Sequence, residues 1–140
     1  MLDLGTGSGI MAIFASAGAR RVYAVEIGSY LSQVSQQIFQ RNGYGDRIVP
    51  LRLDARAVTL DCVEKPDVVI CEMVTGLIGE MQGVVINSLK KAEVIDRGTL
   101  LVPASLATTV ALVSVDFNLY GADLLPHLHR LLHPRARPAS

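Results

Sequence analysis

Acidic residues stand at four places where a run of apolar residues stops. Asp3 lies between Leu2 and Leu4, Glu26 follows Val22-Tyr23-Ala24-Val25, Asp54 follows Leu53, and Glu72 follows Val68-Val69-Ile70-Cys71. The first of them runs into Gly5-Thr6-Gly7-Ser8-Gly9. Glycine accepts positive φ and lets a ligand approach the backbone closely. A helix starting behind such a loop aims free N–H groups and the positive end of its dipole at it. A ligand carrying a carboxylate and a nucleoside suits that place. Glu26 is spaced to accept hydrogen bonds from both hydroxyls of a ribose, a charge-assisted contact of about 1.5–3 kcal/mol. The dinucleotide fingerprint G-x-G-x-x-G is excluded, because it needs glycine where this chain has Ile10. An Asp two residues before the first glycine repels a pyrophosphate but suits an ammonium group.

The elements that must position these residues can be read from the apolar runs and their stops. Met1 to Leu4 reads as the end of a strand, and Gly9 to Ala17 as a helix stopped by Gly18. Arg21 to Val25 is a strand. Ser29 is the expected cap of a helix that runs to about Arg41 and stops at Asn42-Gly43. Strands follow at Arg47 to Leu53 and Val68 to Cys71, a helix from about Met81 to Val94, a strand at Thr99 to Val102 and a sixth at Ala107 to Phe117. Short apolar strands joined by helical crossovers predict an α/β fold. The expected architecture is Rossmann-like and doubly wound, with a mostly parallel sheet, helices on both faces and the start of a β substructure behind it. In such sheets ligands bind at the carboxyl ends of the strands, where all four acids fall.

By these residues and their spacing, the chain resembles the class I S-adenosylmethionine-dependent methyltransferases. Asp3 to Gly9 looks like their first motif, Glu26 matches their ribose-binding acid, and Asp54-Ala55 matches the segment that borders adenine. The resemblance implies S-adenosylmethionine as cofactor, held by Asp3, Gly5, Thr6, Gly7, Gly9, Glu26, Asp54, Ala55 and Glu72. It covers residues 1–103 as the cofactor-binding core. Residues 104–120 are then expected to begin an incomplete β-barrel-like region, and 121–140 to form a flexible tail.

Glu72 and Glu80 bracket a segment that contains Gly76 and Gly79. On spacing alone, Glu72 can simply end a strand and Glu80 open a helix. The pair also resembles the double-glutamate loop of the protein arginine N-methyltransferases. Paired carboxylates hold a planar guanidinium bidentately and localise its charge on the nitrogens they contact. By that resemblance Glu72 and Glu80 are the catalytic clamp, and the reaction is methyl transfer to an arginine of a protein substrate. The spacing from Glu72 to Glu80 is one residue shorter than the family pattern. The alternatives are another protein amine or a small molecule as acceptor, or a catalytically silent cofactor-binding fragment. The intact family implies a homodimer.

Composition bounds the rest. Half of the 140 residues are hydrophobic and 19% are charged, which fits a buried sheet and excludes a disordered chain. Lys+Arg and Asp+Glu both number 13, so no overall charge signals nucleic acid. Cys62 and Cys71 form no CxxC pair, and His127, His129 and His133 all lie in the tail, so no metal site is expected. Reduced thiols point to the cytoplasm. Residues 98–115 carry no charge, but Pro103 and scattered Ser and Thr exclude a spanning helix.

Overall fold

A computed structural model describes residues 1–74, 80–109, 111, 118–119 and 122–123. They divide into two compact units, Met1–Thr108 and Thr109–Ser140. In the first, the elements run β1 (Leu2–Leu4), α1 (Ile10–Ser16), β2 (Val22–Val25), α2 (Ser29–Arg41), β3 (Ile48–Leu51), a 3-10 turn (Ala55–Ala57), β4 (Val68–Cys71), α3 (Glu80–Lys91) and β5 (Leu100–Val102). In the second, β6 (Asn118–Leu119) and β7 (Ala122–Asp123) pair antiparallel.

The five strands of the first unit form one sheet in the order β3-β2-β1-β4-β5, parallel throughout. This is the Rossmann-like sheet expected from the sequence. Alternation along the strands divides its side chains between two cores. Leu2 and Leu4, Tyr23 and Val25, and Val69 and Cys71 join Val85, Leu89 and Val94 of the α3 region on one face. Val22, Ala24 and Ile48 meet Ala12 of α1 and Phe39 of α2 on the other. The central strands are buried on both faces, which is why their sequences read as unbroken apolar runs.

The helix ends follow local chemistry. α2 stops in a Schellman motif: Gly43 at φ 76° donates to the Gln40 carbonyl, and Tyr44 donates to that of Phe39. α3 stops in the same way. Glu93 (φ 57°) donates to Lys90, and Val94 donates to Leu89, with Leu89 and Val94 both fully buried. The helix expected to reach Val94 therefore ends at Lys91.

Two other expectations are corrected. Ser29 is the first helical residue of α2, not its cap; Gly28 is the N-cap and makes no side-chain capping bond. Ala107 to Thr109 and Ala111 are not in a strand. Residues 105–109 are exposed, and β propensity expresses packing on a half-buried surface, which exposed residues lack. The remainder of the expected sixth strand, 110 and 112–117, lies outside the described residues, as do 121 and 124–140 of the tail.

Candidate active site

Register brings the strand ends to one level. Leu4 pairs with Val25 and with Cys71, and Val25 pairs with Leu51. The next residues, Gly5, Glu26, Arg52 and Glu72, therefore leave the sheet along one edge. The chain goes from β1 to β2 on one side and has β4 on the other, so the strand order reverses beside β1. That is the position at which doubly wound sheets bind ligands.

The glycine loop turns on three positive φ values, 71° at Gly5, 57° at Gly7 and 87° at Gly9. Gly5 and Thr6 both donate their N–H to the Val25 carbonyl at 2.9 Å, folding the loop over the end of β2. Gly5 and Gly9 are also required by packing. A Cβ on Gly5 would lie 2.9 Å from Cγ of Met73, and one on Gly9 would lie 2.4 Å from the Phe39 ring. At Gly7 nothing but the Gly5 carbonyl, at 3.9 Å, comes near, so a ligand can lie against the backbone there.

Asp3 is 3% exposed and pairs in register with Ala24 and Ile70, beneath α1. Its Oδ2 accepts the Thr6 hydroxyl at 2.6 Å. Gly9, the N-cap of α1, has no side chain to offer. Burial raises the Asp3 pKa, opposed by the Thr6 hydroxyl and the Ala12 N–H and assisted by the charge of Glu72.

Glu26 joins two loops. Its Oε2 accepts the Gly7 N–H at 3.0 Å and its Oε1 accepts the Gly28 N–H at 2.8 Å. A Cβ on Gly28 would come within 3.1 Å of Oε1, so glycine there permits the approach. Each carboxylate oxygen keeps a second acceptor site. Asp54 accepts the Arg56 N–H at 2.8 Å and is gripped by the Arg56 guanidinium through Nε and Nη2, which lowers its pKa to about 2. Ala55 is buried at the start of the 3-10 turn.

A cavity of about 310 Å³ opens at this edge. Of the candidates from the sequence, Gly5, Glu26, Asp54 and Ala55 line it; Asp3, Thr6, Gly7, Gly9 and Glu72 do not. Its apolar walls come from Met73, whose place after β4 suits the methyl-transfer site, and from Val25, Ile27, Leu53 and Met81, which were not expected at the ligand. Ile27 carried a usable signal, being a large apolar residue directly after the strand-ending acid; it is 64% exposed. An acceptor for hydroxyls, apolar walls for a flat base and open backbone at Gly7 together fit S-adenosylmethionine.

Glu72 follows β4 and is exposed, beside the buried Cys71. Glu80 opens α3; its side chain and residues 75–79 lie outside the described residues. Among the described residues no cluster could hold a metal ion, and no helix is long and apolar enough to cross a membrane.

Residues 1–101 match the family model described as ribosomal protein L11 methyltransferase (PrmA). The chain is similar to an uncharacterized protein of Methanocaldococcus jannaschii, 34% identical over 119 residues, covering 84% of this chain and 45% of that one. It is also similar to probable protein arginine N-methyltransferase 6 of Arabidopsis thaliana, 31% identical over 137 residues, covering 89% and 30%. Less than half the length of either relative is thus spanned. Among solved structures, it resembles the Trypanosoma brucei PRMT1 enzyme-prozyme heterotetrameric complex with AdoHcy, with a TM-score of 0.59, 25% identity, and coverage of 71% of this chain and 31% of that one.

Proposed function

The chain belongs to the ribosomal protein L11 methyltransferase (PrmA) family of S-adenosylmethionine-dependent methyltransferases, and from that premise we propose that it methylates a guanidinium nitrogen of a protein arginine. The observation that carries this reading is the exposed carboxylate of Glu72, one strand from the glycine loop, with Glu80 eight residues on at the head of α3. The similarity to proteins named as arginine N-methyltransferases supports it.

When bound, S-adenosylmethionine supplies a methyl group on a sulfonium, open to direct displacement. The chain's own residues do the positioning. Glu26 accepts from the ribose hydroxyls, Ala55 and the apolar walls enclose the base, and Gly5 and Gly7 let the ligand reach the backbone. Glu72 and Glu80 hold the guanidinium fork and concentrate its charge on the nitrogens they touch, leaving lone-pair character on the third. Orientation of that nitrogen is the main demand of a displacement reaction. The free thiols of Cys62 and Cys71 support a reducing compartment such as the cytoplasm.

The test is transfer of labelled methyl from S-adenosylmethionine to glycine-arginine peptides by the full chain, followed by hydrolysis and identification of the labelled amino acid. Methylarginine is expected, with its loss in Glu72→Gln and in Glu80→Gln while S-adenosylhomocysteine still binds. Label confined to lysine or a small molecule overturns the arginine assignment. The family model's description favours a second reading, a ribosomal protein as acceptor. Label on an amine of a ribosomal protein, with none on arginine, would establish it.

A further inference from the structure

β5 stops one step short of what β4 needs. In a parallel ladder the carbonyls of every second residue face the same neighbouring strand. Leu100 donates its N–H to the Asp67 carbonyl at 2.9 Å, which puts the carbonyls of Asp67, Val69 and Cys71 on the β5 side. Pairing ends at Ile70 with Val102, and Pro103 follows. The Cys71 carbonyl is therefore the first on that side to which the strand offers no donor.

Gln82 supplies one. From the first turn of α3, its side-chain Nε2 donates to the Cys71 carbonyl oxygen. The residue is 7% exposed, and its other polar atom, Oε1, is buried with no partner. An apolar side chain would avoid that unpaired oxygen, so a role for the donor explains the glutamine. Burial pushes up the pKa of the Cys71 thiol, and the Met73 N–H acts on it in the opposite direction. Glu72 thus follows directly on a carbonyl fixed by α3.

We propose that Gln82 is a positioning residue for the methyl acceptor, tying the head of α3 to the end of β4 and so setting Glu72 against the helix that begins with Glu80. Its catalytic consequence rests on the reading of Glu72 and Glu80 as the guanidinium clamp; the tie itself does not.

The full chain and its Gln82→Met variant, which keeps the length and loses the donor, are compared with S-adenosylmethionine and a glycine-arginine peptide. Backbone amide exchange at Glu72 and Met73 accelerates in the variant, and kcat falls about tenfold to a hundredfold. Affinity for S-adenosylhomocysteine, measured by calorimetry, stays at the wild-type value. Unchanged exchange at Glu72 and Met73 overturns the proposal, and so does a fall in cofactor affinity that tracks the fall in kcat, which is what general loosening of the fold would give. If the wild type labels no arginine, the arginine reading fails and the exchange comparison still decides the tie. Should the variant not fold, the wild type alone is decisive: the Gln82 side-chain amide protons exchange slowly if they are held by Cys71, and fast exchange overturns the assignment.

Discussion

A methyl group added at Gly9 has nowhere to go, because the Phe39 ring stands 2.4 Å from its position and φ is 87°. Gly9→Ala is expected to cost about 2–4 kcal/mol from overpacking and left-handed strain together, measurable by urea denaturation. Gly7→Ala meets open space, so it carries only the backbone cost of about 1–2 kcal/mol. Its larger effect falls on S-adenosylhomocysteine affinity. Acid separates the two aspartates. The pKa of Asp54 falls from an ordinary 3.8 to about 2 through Arg56, so its contribution is complete above the ordinary value and is lost as pH drops toward 2. Asp3 runs the other way: its pKa is raised by burial, so folding takes up a proton and stability gains as pH falls toward 3.8. Thermal melts between pH 5 and 2, a window of about these limits, should show a shallower acid loss in Asp54→Asn and a steeper one in Asp3→Asn. The sequence marked both acids as strand-end residues. It could not say that Asp3 faces α1, because the face a side chain takes on a three-residue strand is fixed by register with β2 and β4.

Two helices end in the same motif with different residues at the left-handed position, Gly43 after α2 and Glu93 after α3. The first is legible in any sequence, since glycine is the common residue there. The second is hidden, because the geometry is enforced by burial of Val94 against Leu89 and glutamate merely tolerates it. Replacing it should help: Glu93→Gly is expected to stabilise the protein by about 0.5–1 kcal/mol, the relief of strain less the added freedom of the unfolded chain. A higher urea midpoint at unchanged slope is the result that checks it. The parallel strands were legible for a related reason. Burial on both faces leaves an unbroken apolar run, and β2 and β4 are such runs. Past Val102 the sequence is equally β-prone, yet residues 107–109 are not a strand. Propensity there had no buried surface to act on, and burial is a property of the fold.

Across the whole sheet, the loops after β1 and β2 are joined by one side chain, since Glu26 accepts from both Gly7 and Gly28. On the proposed role of Glu26, ligand and fold share a residue. S-adenosylhomocysteine at a hundred times its Kd should stabilise the wild type by about 2.7 kcal/mol, seen as a rise in melting temperature. Glu26→Ala should melt lower without ligand and show little rise with it. A rise equal to the wild type's would remove Glu26 from the cofactor site. The joined loops also bear on how fast the site fills. With its two rims already tied by Glu26, the glycine loop has no rearrangement to wait for. Association should then be a single exponential whose rate climbs linearly with ligand concentration, as encounter-limited binding does. A plateau in that rate would mean that the bond between the loops opens first.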